Sequence, residues 1–530
     1  MVRLFLIILS TILLSTATHA QLHYWVQFNT KTGTPYSFNN PEAFLSPRSI
    51  ERRTRQGIEI DSTDLPVNPA FIDSLNLLRL HVKHTSRWLN GAIVTSTDTA
   101  LVSTLDYPSF IDTIQLRKPQ PLKSSFNKFS DEDSLIQNHY GESYNQITML
   151  NGQLVHEEST GKGVWVAVID AGFLNADSLE VFDSLYARNG ILGTRDFVNP
   201  GGDVYDSHYH GTAVLSVMAA NQTGSFVGTA PDASYWLLRT EDAPSEYPVE
   251  EDYWIIAAEF ADSVGCDVLN TSLGYTIFDD NQFNHTYSQF DGNTLRISKA
   301  ANLAVDKGMV VVCSAGNSGN DNWRYISAPS EAEDVLSVGA VNANRDTVRF
   351  SSAGFAGASV PKPDIAAMGS GTTVAYPSGD IVQSSGTSFS SPVIAGMAAC
   401  LVGMYPEKTA AEIIDIIRKS GDLYPGHNVK TGYGIPDFST LFKGEGSLAE
   451  TLNNTKGVLP NPFSSYLIIN DSQVSSIDLY NNKGIKVLEL TKTNNQKEFS
   501  SEALINLPKG MYFAILKGKD KLSTVKLIKE

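Results

Sequence analysis

Cysteine is scarce, with three residues in a chain of 530, at Cys266, Cys313 and Cys400. So sparse and odd a set cannot build a disulfide framework, and its spacing fits no zinc motif, so packing must hold the chain together. All three lie in or beside apolar strand or helix patterns, where cysteine is expected as a small buried hydrophobe and not as a reactive thiol. Positive charge is also short: 40 Lys and Arg stand against 57 Asp and Glu, a net charge of −17. A surface of that sign repels phosphate, which argues against nucleic acid as the main partner. Long apolar runs are confined to the start. MVRLFLIILSTILLSTATHAQ places one cation at Arg3 before a largely apolar run from Leu4 to Leu14, then small residues ending at Ala20. That is the pattern of a signal peptide over residues 1–20, cleaved after Ala20, and it falls short of the roughly 20 apolar residues a span needs. No later segment is expected to cross a bilayer; even Ser388 to Tyr405 is punctuated by Ser and Pro, so no membrane span is expected in the mature protein. No repeat with a period of 20 to 50 residues occurs, which excludes a solenoid.

What is present points to several folded parts. With 42% hydrophobic and 18% charged residues the chain can bury a sizeable core, and 530 residues exceed one ordinary core. Residues 21–140 hold short strand-like runs such as HYWVQF, a helical stretch around Pro69 to Leu78, a basic cluster of Arg48, Arg52, Arg53 and Arg55, and a polar linker-like segment from Lys118 to about Ser143. Over residues 141–442, apolar strands alternate with helical patterns: VWVAVID, HGTAVLSVMAA, DYWIIAAEFADSVG, CDVLNTSLG, MVVVCSAGN and SFSSPVIAGMAACLVGMY. Glycines stand just past the helix ends. This is an α/β domain with a parallel sheet covered on both faces, and its chemistry belongs at the carboxyl ends of strands. A polar stretch at 443–455 leads to residues 456–530, where short alternating strands (YLIIN, SIDLYN, IKVLEL, MYFAIL, STVKLI) carry eleven lysines against seven acids, a local +4. A separate small carboxyl-terminal β-sandwich accounts for them.

Three residues stand out in order. Asp170 ends the strand VWVAVID, His210 opens a helix in HYHGTAV, and Ser388 lies in SSGTSFSSPVIAG with Pro392 in the first turns of the next helix. Taken singly, each has a bland reading: a strand-end carboxylate, a capping or core histidine, a capping serine. Together they supply what a serine nucleophile needs, an imidazole to take its proton and a carboxylate to hold the imidazole in one tautomer.

With AVIDAG around Asp170, HGT at His210 to Thr212, SLG at Ser272 to Gly274, SAGNSG around Asn317 and GTSFSSP around Ser388, the chain resembles the subtilisin-like serine proteases, or subtilases, over roughly residues 145–440. The resemblance implies a doubly wound parallel sheet and a secreted endopeptidase in which Ser388 attacks, His210 is the base, Asp170 orients it, and Asn317 donates to the oxyanion. It also implies that Ser272, Leu273 and Gly274 form an edge that pairs with extended protein substrates. Ala213 and Ala171 depart from the family's usual residues at positions that perform no chemical step. No cofactor is required for such chemistry. The family often binds structural calcium, for which Asp203 and Asp206 are candidates, although a solvated acidic loop explains them as well.

The flanks carry resemblances of their own. FLSPRSIERRTRQGIEID resembles the amino-terminal region of secreted subtilases of Bacteroidetes type, which implies an α+β propeptide that holds the enzyme inactive; the basic cluster is equally readable as a plain solvated face. LPNPFSSYLIIN and the close KGMYFAILKGKDKLSTVKLIKE resemble the carboxyl-terminal sorting domain of the type IX secretion system, an address read by outer-membrane machinery. A carbohydrate- or protein-binding sandwich is the rival for that module. For the whole chain the rival is a catalytically inactive subtilase-fold binding protein. An esterase would call for a GxSxG elbow, and GTSFS around Ser388 does not fit it.

Overall fold

The continuous apolar runs in VWVAVID and VVVCS predict strands covered on both faces. A computed structural model bears this out over residues 21–98, 107–119, 140–355, 360–442, 458–459, 466–469, 474–481, 485–491, 498–500, 502–518 and 522–529, the residues the structure describes. The expected signal peptide, the interior of the first polar segment, the second linker and the Pro-Asn-Pro-Phe opening of the carboxyl-terminal module lie outside them. The chain forms two units, Met1–Asp437 and Phe438–Glu530.

The first unit opens with an antiparallel sheet in the order β2-β3-β1-β4, made of β1 (Leu22–Phe28), β2 (His81–Ser86), β3 (Gly91–Ser96) and β4 (Ile111–Lys118). Between β1 and β2 stand α1 (Pro47–Gln56) and α2 (Pro69–Leu77), each opened by a side-chain N-cap, Ser46 and Asn68, with Pro in the first turn. Val26, Leu75, Leu80 and Val94 form the core of this module. The polar segment is shorter than its composition suggests. Lys118 is paired within β4, and Ser143 is buried with its hydroxyl donating to Val227 O at 2.7 Å.

The rest of this unit is built on a seven-stranded parallel sheet. Its strands are β5 (Trp165–Asp170), β6 (Ile191–Asp196), β7 (Ser234–Arg239), β8 (Val268–Thr271), β9 (Val310–Ser314), β10 (Leu336–Val341) and β11 (Ile365–Met368), in the order β11-β10-β9-β8-β5-β7-β6. The chain leaves β5 toward one edge and returns across it to β8, so strand order reverses between β5 and β8, the place where open α/β sheets gather ligands. Helices α3 (His210–Ala219) and α6 (Thr387–Met404) pack together, as do α4 (Val249–Val264) and α5 (Arg296–Asp306); α7 (Ala410–Lys419) lies against α6. A hairpin of β12 (Thr372–Ala375) and β13 (Ile381–Ser384) leads into α6. By length and composition α6 is sufficient to cross a membrane, contrary to the expectation that Ser and Pro would deny it that property, and 83% of it is buried within the fold. Its serines are satisfied locally: Ser390 Oγ donates to Thr387 O at 3.1 Å and Ser391 Oγ to Asn270 Oδ1 at 2.8 Å. The hydroxyls therefore do not spoil an otherwise apolar surface.

The second unit holds two antiparallel sheets. One joins β14 (Val458–Leu459), β15 (Tyr466–Ile469) and β18 (Glu498–Ser500); the other runs β17-β16-β19-β20, from β16 (Val474–Asn481), β17 (Lys486–Thr491), β19 (Gly510–Gly518) and β20 (Leu522–Lys529). Leu467 of the first shares a core with Ile477, Leu479, Ala514 and Leu527 of the second.

Candidate active site

The apolar strand β5 delivers Asp170 to its carboxyl end with no exposed surface. Asp170 Oδ1 accepts the Ala171 N–H at 2.7 Å and lies 2.8 Å from His210 Nδ1. His210, the first residue of α3, is 1% exposed. An ionised carboxylate only accepts, so Nδ1 carries the hydrogen and Nε2 of a neutral ring is left basic. Gly211 makes the approach possible. A Cβ there would stand 2.3 Å from Gly172 O and 3.0 Å from Asp170 Cβ, so any side chain would push α3 off the strand end.

Ser388, 5% exposed, sits in the first turn of α6. Its neighbour Phe389 packs its ring 5.9 Å from the His210 ring. Two reciprocal bonds join the start of α6 to the residue after β8: Ser272 Oγ donates to Ser388 O at 2.8 Å, and Ser388 Oγ donates to Ser272 O at 3.2 Å. Asn317, in the turn after β9, is held by Thr387. The Thr387 N–H and Oγ1 lie 2.9 and 3.0 Å from Asn317 Oδ1, and Thr387 Oγ1 accepts from Gly316 N–H at 3.1 Å. A backbone N–H can only donate, so the atom facing it must be the amide oxygen, and the Asn317 NH2 is turned the other way. Thr387 carries no signal in the sequence beyond its place inside GTSFSSP.

Of the edge residues Ser272, Leu273 and Gly274, only Gly274 is exposed. Leu273 is 8% exposed, and the next residue, Tyr275, pairs its backbone with Ala328 at 3.0 and 3.1 Å. Asp203 Oδ1 caps the Tyr205 N–H at 2.9 Å and Asp206 Oδ1 lies 3.4 Å from Ser207 Oγ, and neither joins a ligand cluster among the described residues. Glu241, Glu246 and Glu250 do bring carboxylate oxygens within 4.8 Å of one another. Such oxygens suit calcium, but Glu241 already accepts the Tyr275 hydroxyl at 2.5 Å and Glu250 the N–H groups of Asp242 and Tyr247 at 2.8 and 3.1 Å. The three cysteines are free and buried, and burial pushes each thiol up.

Residues 23–132 match the Peptidase S8 propeptide domain of Bacteroidota, and residues 457–530 match a secretion system C-terminal sorting domain. The second match carries the address expected of an exported protein, secreted or attached at the cell surface. Among curated proteins, subtilisin E of Bacillus subtilis is 29% identical over 294 residues, covering 54% of this chain and 68% of its own. Subtilisin of Bacillus pumilus is 29% identical over 294 residues, covering 54% and 94%, and serine protease AprX of Bacillus subtilis is 30% identical over 301 residues, covering 51% and 63%. Among solved structures, MycP1 from Mycobacterium smegmatis is 24% identical, with a TM-score of 0.45 over 59% of this chain and 87% of that one. Residues 161–435, more than half of the chain, match the Subtilase family, and the chain belongs to that family of serine endopeptidases.

Proposed function

We propose that the domain spanning residues 141–442 hydrolyses peptide bonds in proteins through Ser388, His210 and Asp170, with Asn317 and the Ser388 N–H as oxyanion donors. The observation that carries this reading is the buried 2.8 Å bond between Asp170 and His210, on a ring that packs against the neighbour of Ser388. In the attack, the Ser388 hydroxyl exchanges its bond to Ser272 O for His210 Nε2, gives up its proton there, and adds to the scissile carbonyl. Hydroxyl geometry before substrate arrives is often loose in this way. The carbonyl oxygen becomes negative, and the Asn317 NH2 with the Ser388 N–H stabilises it where water is excluded. His210, now charged and held by Asp170, returns the proton to the leaving amine; water repeats the sequence on the acyl enzyme. Substrate pairs as an extended strand beside the backbone of Ser272 to Gly274, with pockets that read its alternate side chains.

The flanking modules complete the reading. Residues 21–140 hold the peptidase as a zymogen, and residues 456–530 are the export address read by outer-membrane machinery. A chain truncated after Gly446 is expected to remain inside the cell envelope; its normal appearance in the medium would remove the sorting role. The activity itself is tested with unfolded casein, using the secreted wild type, a Ser388→Ala variant and wild type treated with a fluorophosphonate. Hydrolysis that both treatments abolish establishes the nucleophile. Hydrolysis that survives Ser388→Ala removes it.

A further inference from the structure

The basic cluster divides in the fold: Arg55 is exposed and Arg48 half-buried, whereas Arg52 and Arg53 are buried. Arg52 and Arg53 are each 1% exposed, and both meet Asp262 near the carboxyl end of α4. Arg52 Nη2 lies 2.5 Å from Asp262 Oδ1, Arg53 Nη2 lies 2.7 Å from Oδ2, and Arg87, at the end of β2, also reaches Oδ2. Burial by itself would raise the Asp262 carboxyl; Arg87, Arg53 and Arg52 outweigh it and hold it below the ordinary range. The three cations of Asp262 all come from the amino-terminal module.

The helix α1 that carries Arg52 and Arg53 also closes the open ends of two others. A helix leaves its last carbonyls unbonded and carries partial negative charge there, which suits a guanidinium. Arg48 Nε donates to Gly265 O at 3.0 Å, Arg52 donates to Cys266 O and, at 3.1 Å, to Lys307 O, and Gln56 Nε2 donates to Gly308 O at 2.9 Å. These carbonyls follow α4 and α5. Gly265, with φ +95°, has room for α1 only because it lacks a Cβ, which would stand 2.8 Å from Ser49 N. In return Lys307 Nζ reaches Asp61 and Asp64 at 2.9 and 3.0 Å.

We propose that α1 is an ionic latch: an arginine-bearing helix that clamps the paired ends of α4 and α5 and keeps the amino-terminal module bound after the chain between the two has been cut. The proposal rests on the reading of residues 21–140 as a propeptide. An apolar seal of this size would gain from staying shut in any medium. Here the contact buries charges that water solvates well once parted, so the hold is specific yet reversible and is screened by salt on approach. The sheet of the module also touches α4, through Arg117 on Asp252 at 2.8 Å, Ser86 on Glu259 and Arg87 on Asp262, so α1 adds its own attachment to the one the sheet makes.

The test uses the full chain carrying Ser388→Ala, with a recognition site for a sequence-specific protease placed between residues 119 and 139. After cutting, retention of the amino-terminal fragment is measured by size exclusion at low and at molar sodium chloride. Retention at low salt is expected to weaken about tenfold or more at high salt. Arg52→Gln is expected to weaken it about thirtyfold at low salt and to flatten the salt dependence. Should that variant not fold, Arg48→Gln, at a half-buried position of α1, takes its place, and unchanged low-salt retention in it overturns the latch. Retention equal at both salt concentrations overturns the latch. Inhibition of casein hydrolysis by the released fragment is assayed separately on processed wild type, so a fragment that fails to inhibit counts against the propeptide reading and leaves the retention result standing.

Discussion

Asp170 Oδ1 and His210 Nδ1 lie 2.8 Å apart at the carboxyl end of β5, and neither side chain is exposed beyond 1%. The bond sets the imidazole tautomer before substrate arrives. Asp170→Asn can present an N–H to His210 Nδ1, stabilising the tautomer with its basic nitrogen turned the wrong way. A loss in kcat on the order of 10⁴ is expected with KM little changed, read from steady-state peptide hydrolysis. Turnover within tenfold of wild type would remove Asp170 from this role.

Asn317 differs from Asp170 in when it acts. Its NH2 meets negative charge only once the tetrahedral intermediate forms, so Asn317→Ala should lower kcat by roughly 10²–10³ and leave KM near its original value. Thr387→Val, which keeps the backbone N–H but removes the hydroxyl that contacts Asn317 Oδ1 at 3.0 Å, should produce a smaller loss of the same kind. A rise in KM as the main effect of Asn317→Ala would assign it to substrate binding instead.

Gly211→Ala tests the packing that brings α3 to β5. The added Cβ would stand 2.3 Å from Gly172 O, which backbone cannot relieve without moving Asp170 away from His210. A destabilisation of about 1–3 kcal/mol and a loss of activity larger than the loss of folded protein are expected, from thermal unfolding beside active-site titration. Full activity in the folded fraction would contradict the close approach.

Docking of the amino-terminal module should weaken in acid through His84. Its Nε2 lies 2.8 Å from Phe197 O, and burial lowers its pKa from 6.5 to about 4, aided by Lys83 and Arg195 and opposed by the Phe197 carbonyl and Asp196. Above pH 6.5 the ring is neutral whether docked or unfolded, and the stabilisation is whole. As pH falls toward 4 the unfolded chain takes up a proton that the folded one resists, so stability declines by at most about 1.36 kcal/mol per unit. His84→Gln keeps a donor for Phe197 O and does not titrate. The difference in thermal midpoint between wild type and variant is expected to shrink or reverse from pH 7 to pH 4.5; a difference constant over that range would exclude the histidine.

Local sequence by itself determined the main elements of this protein and the motifs that nominate Asp170, His210 and Ser388. WVAVI and VVVC are apolar without alternation, and only strands covered on both faces bury such runs. HGT and GTSFSSP place a histidine and a serine at helix starts, and it is the resemblance to the subtilases that singles them out from capping residues. Neighbouring residues are enough for such readings, since strand burial and helix capping are decided within a few positions. Tertiary structure alone decided the rest. Thr387 orients Asn317 across 70 positions of sequence, and Arg52 meets Asp262 across 210, so neither partnership leaves a local trace. Arg52 and Arg53 belong to a cluster with the composition of a solvated face, yet both are buried, because the ends of two helices supply the carboxylate and carbonyls that make burial of a guanidinium tolerable. Serines and a proline in α6 suggested a segment too polar for a continuous apolar helix, yet their hydroxyls bond within the fold and the helix runs buried through the core. Periodicity reports which face of an element is buried; only the folded chain sets which distant group waits on the other side.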